Sequence, residues 1–305
     1  MLAYAVKRLL LALGVAVAVS IVTFMLLRTS GDVATAIAGP SATSADIEHV
    51  RKRYGLDRPL ILQYGEWAAA ALTGDFGPSF YFKSSVSGIV RDRMAVTMIL
   101  GGCALGFALA LSIPLGVLAA LRPNTWLDRI ALTLAVLGQA LPTFWFALMM
   151  IILFGVMLRW LPITGSASWK HFVMPSIALG YYATPAIMRL TRTGMLDVLA
   201  SDYIRTARAK GLRTGTVLFK HALRNAAMPV VSIAAVQLGF MLGGSIVIET
   251  IFALHGLGFL AWESITRSDI SVVQAVVLVL SLFFILLTLL ADLLNAFLDP
   301  RIRVG

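Results

Sequence analysis

Apolar runs far longer than a water-soluble core would use dominate this chain. The first covers residues 9–27, bracketed by Lys7, Arg8 and Arg28, and others follow at about 95–121, 130–158, 175–188, 230–253 and 270–298. A helix needs roughly 20 apolar residues to cross a hydrocarbon layer of about 30 Å. The pattern predicts an all-α polytopic membrane protein with six transmembrane helices. The 175–188 run is the shortest and contains Pro175 and Pro185. Proline is tolerated in such a segment where neighbouring helices satisfy the freed carbonyls. Composition agrees, with 59% apolar residues, 13% charged residues and a mean hydropathy of +0.88.

Charge placement sets the expected orientation. Residues 189–224 carry eight basic side chains, Arg189, Arg192, Arg205, Arg208, Lys210, Arg213, Lys220 and Arg224, against Asp197 and Asp202. Basic loops beside membrane spans stay cytoplasmic. With both termini inside, Lys7, Arg8, Arg122, Arg129, Arg301 and Arg303 join that loop on the cytoplasmic side, while Arg159, Lys170 and Arg267 occupy the short outer loops. The remaining basic residues flank or lie in a long outer segment, which translocates regardless of charge. The predicted organisation is therefore an N-terminal transmembrane helix at 1–28, an extracytoplasmic subdomain at 29–93 between helices 1 and 2, and a core at 94–305. That core includes a cytoplasmic loop at 189–228 between helices 4 and 5. A cleavable signal is the rival for the first run, since Ala34-Thr35-Ala36 resembles a cleavage site, but a run of 19 residues exceeds the usual 7–15.

Several function classes lack their residues. The net charge of +10 would suit nucleic acid only on a soluble basic face, whereas here the basic residues sit at the ends of apolar runs. None of the six lysines follows a glycine, so no phosphate-cradling Gly-Lys-Ser/Thr loop exists and the chain cannot itself be a standard nucleotide hydrolase. His49, His171, His221 and His255 show no metal spacing, and no serine sits in a Gly-x-Ser-x-Gly elbow. The single Cys103 excludes an intrachain disulfide. No enzyme and no metal site is expected.

Within the spans, polar residues are few, as their cost in hydrocarbon requires. Gln139, Gln237, Ser245 and Glu249 are the candidates for a translocation path. Each has a plainer reading: the amides as hydrogen bonds between helices, and Glu249, like Asp292 near the inner end of the last run, as a paired residue near a span end. Gly239-x-x-x-Gly243, followed by Gly244, makes a small-residue face suited to close helix packing. No chain of midplane acids is present, which argues against a secondary transporter or channel, the chief alternatives.

The cytoplasmic loop is punctuated as two helices. Ser201 or Asp202 can cap a short helix beginning at Tyr203, and Gly211 is placed to end it with close packing at that end. Tyr203, Ala207 and Lys210 share a face, and Ala207 and Ala209 leave room for a partner surface. A second helix is expected over residues 212–228, leading to Pro229 and the fifth span.

These residues also carry a resemblance. DYIRTARAKGL at 202–212 with KHALRNAAMPVV at 220–231 resembles the cytoplasmic loop of ABC-importer permeases in the dipeptide, oligopeptide and nickel branch. VKRLLLALGVAVAVSIVTFMLLR at 6–28, YGLDRPLILQYGEW at 54–67, GDFGPSF at 74–80, IETIFALHGLGFL at 248–260 and DPRIR at 299–303 resemble other parts of that branch's B-type subunit, in order. The resemblance implies a peptide importer permease, or a nickel or other small-solute importer of the same branch, in the bacterial inner membrane. It implies a homologous second permease, an extracytoplasmic substrate-binding protein and two ATP-binding subunits that bind the ATP, with no cofactor in this chain. It implies that Tyr203, Ile204, Arg205, Ala207, Arg208, Lys210 and Gly211 form a coupling helix docking on an ATPase. Ala207 and Gly211 match the Glu-Ala-Ala-x-x-x-Gly pattern of the wider family, while Arg205 and Thr206 replace its first two residues. His255 and Phe259 also depart from the branch's usual proline and arginine.

Overall fold

The computed structural model describes residues 2–29, 32–39 and 41–298; the whole 299–303 string, with Arg301 and Arg303, lies outside them. The described chain is helical, with no strand among these residues. In order, it forms α1 (Leu2–Thr29), α2 (Val33–Ala38), α3 (Ser44–Arg53), α4 (Leu60–Leu72), α5 (Val86–Leu121), α6 (Trp126–Ala140) and α7 (Thr143–Met150) with a π-helical extension Ile151–Met157. It continues with α8 (Lys170–Tyr181), α9 (Thr184–Leu199), α10 (Asp202–Ala209), α11 (Thr214–Thr216), a π-helix Val217–Leu223, α12 (Arg224–Ala226), α13 (Met228–Ile251), α14 (Leu257–Thr266) and α15 (Ile270–Leu298).

Four of these helices are long and apolar enough to cross a membrane: Tyr4–Leu26 within α1, all of α5, all of α13, and Ile270–Ala296 within α15. The runs expected at 130–158 and 175–188 are segmented instead. α6 stops at Ala140 because Pro142 pushes Leu141 into an extended conformation (φ −87°, ψ 128°), and α7 restarts behind the proline. In the 175–188 region, α8 tolerates Pro175 in its interior, and α9 restarts with Pro185 in its first turn, where the missing N–H costs nothing. The helical path here extends well beyond the predicted run, from Lys170 to Leu199. α5 begins at Val86, inside the stretch assigned to the outer subdomain, with the Ser85 side chain capping its N-terminus.

α5 is the central helix, packing against α8, α9 and α13, while α15 bridges α13 and α1. The main core gathers Leu100, Ala104 and Ala108 of α5 with Met174 and Ala178 of α8 and Met241 and Ile248 of α13. Small residues let the backbones touch: a Cβ on Gly180 of α8 would run into the Ala104 carbonyl of α5. Gly239 packs in the same way against the Phe284 ring of α15, while Gly243 and Gly244 meet nothing. The predicted small-residue face is therefore a contact at its first glycine only. Asp292 of α15 pairs with Arg8 of α1 at 2.9 Å, tying the first helix to the last.

Candidate functional site

The two broken helices face each other. At their breaks, Gln139 and Thr143 from the α6–α7 junction meet Tyr182, Ala183 and Ala186 from the α8–α9 junction across Gln237, Phe240, Met241 and Gly244 of α13, lining a partly open cavity of about 360 Å3. Helix interruptions at membrane depth persist only where they are buried in protein or line a water-filled space. Discontinuous helices are also the usual way to place unpaired backbone and polar side chains around a solute. Among the described residues, no hydrogen bond engages the Gln139 or Gln237 amides, and Tyr182 is 52% exposed. The lining side chains are neutral, mixing amides, hydroxyls and apolar groups.

The other two residues named for a path lie elsewhere. Ser245 is buried and donates to the Leu242 carbonyl of its own helix at 2.9 Å. Glu249 is fully buried: one carboxylate oxygen accepts from Thr97 Oγ1 of α5 at 2.8 Å, the other from the backbone N–H of Phe259 at 2.9 Å. Thr97 Oγ1 in turn accepts from the Leu257 N–H at 2.7 Å. Glu249 and Thr97 thus bond the first N–H groups of α14, the natural place for an anionic or acceptor group. This is a closed polar joint between α5, α13 and α14, and in this chain Glu249 and Ser245 do not line the cavity that holds Gln139 and Gln237. Thr143 and Tyr182 went unnamed in the sequence reading, although Pro142 and Pro185 mark the breaks that expose them.

At the end of the bundle away from the Glu249 joint, the basic loop folds onto the ends of α5 and α9. Ile204 and Ala207 of α10 are buried against Ala120, Met195, Val217, Ala222 and Ala226. Within this chain Ile204 and Ala207 of the expected contact set are buried, because their i, i+3 spacing turns both inward. The outward side presents Tyr203, Arg205, Arg208, Ala209 and Lys210. The Tyr203 hydroxyl accepts from Asn225 Nδ2 at 2.8 Å, fixing α10 against the following helix. Ser201 occupies the N-cap position, but its hydroxyl donates to the Val198 carbonyl instead of capping.

At the other end, Gly211 N–H donates to the Arg208 carbonyl at 2.9 Å and Leu212 N–H to the Ala207 carbonyl at 3.3 Å, a Schellman closure with Gly211 at φ +76°. A Cβ at Gly211 would meet nothing within 4 Å. The glycine is required by its backbone angle, and the space beside it is free of this chain's own described atoms. The second helix expected over 212–228 runs from Thr214 to Ala226 with a π-helical stretch at Val217–Leu223 in its middle.

An ion pair joins the two cavity-lining helices α6 and α9 to each other. Arg192 of α9 grips Asp128 of α6 bidentately, with Nε and a terminal nitrogen each 2.7 Å from a carboxylate oxygen. The Asn124 N–H adds a third donor at 2.9 Å, and Asp128 is 2% exposed. The Arg192 hydrogen bonds hold the Asp128 carboxyl below its usual range, outweighing burial, with help from the Asn124 amide. α6 and α9 are thereby clamped one helix length from the breaks where they line the cavity.

A helical core built on one long central helix, two interrupted helices around a cavity and a basic helix turned out at one end define a transport subunit. The comparisons agree. Residues 112–304 match the family of binding-protein-dependent transport system inner membrane components, and residues 1–101 match the N-terminal membrane component of such systems. The chain belongs to this family and is an integral inner-membrane permease of a binding-protein-dependent importer, not an enzyme. It is 41% identical over 304 residues to the glutathione transport system permease protein GsiC of Escherichia coli (strain K12), covering 99% of both chains. The GsiC protein of Salmonella typhi is similar to the same extent, 41% over 304 residues and 99% of both chains. Among solved structures, an inward-facing MetNI methionine ABC transporter chain aligns with a TM-score of 0.57 at 19% identity, over 69% of this chain and 96% of that one. That likeness supports the fold.

Proposed function

We propose that this permease imports short peptides, glutathione-like tripeptides included, as one half of a transmembrane pair driven by two ATP-binding subunits. The observation that carries the reading is α10: closed at its C-terminal end, anchored by Ile204 and Ala207, and turning Tyr203, Arg205, Arg208 and Lys210 outward. A rigid basic knob of this kind fits an acidic cleft on a soluble subunit. Ile204, Ala207 and Gly211 serve it by packing and by closing the helix. Movement of α10 passes to α9 through the packing of Ile204 and Ala207 on Met195, and the Asp128–Arg192 clamp carries it on to α6, so that both helices whose breaks line the solute cavity move together. ATP-driven closure of the ATPases rocks the bundle between outward-open and inward-open states.

The peptide assignment has its support in the 41% identity to glutathione permeases and in the neutral amide and hydroxyl lining around Gln139, Thr143, Tyr182 and Gln237. Such a lining matches the alternating donors and acceptors of a peptide backbone. A binding protein delivers the solute from outside, ATP is held by the partner subunits, six crossings place both termini in the cytoplasm, and residues 29–93 lie outside. Proteoliposomes holding the full assembly and its binding protein test this. Uptake of labelled glutathione or dipeptide that needs both ATP and the binding protein is expected. Uptake by this chain alone, or ATP-independent uptake, contradicts the reading.

A further inference from the structure

In the outer segment, α4 has an apolar face on which none of the described residues packs. Its inner side is well anchored: the Tyr64 hydroxyl lies 2.8 Å from Ser20 Oγ of α1, and Phe24 of α1 packs against the Tyr64 and Trp67 rings at centroid distances of 5.5 and 5.9 Å. The buried Gln63 donates through Nε2 to the Arg58 carbonyl at 2.8 Å and the Leu56 carbonyl at 3.2 Å, locking the first turn. The opposite side shows Ile61 77%, Leu62 54% and Leu72 90% exposed, with the exposed Gly65 and Ala69 between them at helical spacing. The one charged residue of α4, Glu66, is paired with Arg58 at 2.8 Å. A lone exposed leucine needs no explanation, but an apolar stripe along a whole helix does.

The depth of this stripe identifies what covers it. Ser20 lies six residues before Leu26, the outer end of the first apolar span, which at 1.5 Å per residue is about 9 Å along the helix, and Phe24 is about 3 Å from that end. A helix fixed to Ser20 and Phe24 therefore sits at the outer boundary of the hydrocarbon layer. α1 itself exposes Val22 (54%) and Leu26 (59%) at that height. Tyr64 and Trp67 are the residue types enriched at this boundary.

We propose that α4 is an interfacial helix, lying in the headgroup region of the outer leaflet with Ile61, Leu62, Ala69 and Leu72 against phospholipid. It moors the outer segment to the bilayer beside the first span, as amphipathic interfacial helices do by burying one apolar face several ångströms into the headgroup boundary.

Spin labels at Ile61→Cys and Leu72→Cys, in a Cys103→Ala background and in the complete transporter in phospholipid nanodiscs, test this. Leu72 makes so little contact that its substitution leaves folding intact. Collision with oxygen is expected to exceed collision with a water-soluble nickel chelate several-fold at both positions. The reverse is expected at Lys52→Cys, whose side chain is 70% exposed on α3. Nickel-dominated collision at Leu72→Cys would place α4 in water, and shielding from both reagents would place a protein partner on it. Either result overturns the proposal.

Discussion

The central cavity and the Glu249 joint are both polar places inside an apolar bundle, and they are built in opposite ways. Around the joint, the acceptors of Glu249 and Thr97 meet the N–H groups of Leu257 and Phe259 at 2.7 to 2.9 Å, and nothing is open to solvent. In the cavity, the Gln139 and Gln237 amides carry no such bonds and face about 360 Å3 of space. Buried polar groups that are fully satisfied give rigidity, while spare donors and acceptors next to a void are available to a solute. A polar residue within a span is thus not by itself a mark of the path; its unused bonding capacity is.

The largest effect that bears on this contrast is expected at Glu249. Glu249→Ala strands the Thr97 hydroxyl and the Phe259 N–H in a dry core and should cost roughly 4 kcal/mol of stability, read as a large fall in the thermal transition of the purified assembly. A variant that assembles and melts normally would make the joint as dispensable as the cavity lining.

Next comes the Asp128–Arg192 clamp. Asp128→Ala leaves a guanidinium without its partner and is expected to cost about 3 kcal/mol at neutral pH. Because the folded carboxyl titrates below its unfolded value of about 3.9, this contribution is fully present above that value. It disappears as pH falls through the lower folded value. The difference in thermal stability between wild type and Asp128→Ala should therefore shrink in strong acid, and a gap that stays constant would refute the assigned cause.

The cavity should respond differently. Gln139→Leu and Gln237→Leu are expected to change ATP-dependent uptake by about tenfold, equivalent to about 1.4 kcal/mol, while leaving thermal stability nearly unchanged. Equal losses in stability would erase the distinction between the two polar regions. An effect of similar size belongs to Gly211. Gly211→Val forces a β-branched residue to φ +76°, costing roughly 1–2 kcal/mol. Gly211→Asn, which tolerates that angle, should retain the coupling of ATP hydrolysis to uptake more fully, as a transport-to-hydrolysis ratio will show.

The long spans and the basic loop were legible because hydropathy over 20 residues and clustered charge are local properties of a sequence. α10 was legible in its ends, since Ser201 and Gly211 flank it, but not in its faces. Which side of Ala207 is buried depends on Ala120 and Met195, far away in the chain. The segmented helices were half visible: Pro175 and Pro185 were noticed as interruptions, yet Pro142, which breaks α6 from α7, lay within a run read as continuous. The bonding of Glu249 was hidden for the same reason as the burial of Ala207, because its partners at Thr97 and Phe259 come together only in the fold. The Asp128–Arg192 pair spans 64 positions and left no local trace.

The account stands most directly on whether the cavity at the helix breaks opens to alternate sides. Tyr182→Cys in a Cys103→Ala background, reconstituted with all partners, can be labelled by a membrane-impermeant thiol reagent from either side, with and without trapped ATP. Labelling should switch sides with nucleotide at Tyr182→Cys, while Ser245→Cys stays unreactive in both states. Labelling at Tyr182→Cys that ignores nucleotide, or that matches Ser245→Cys, would contradict a solute path through these breaks.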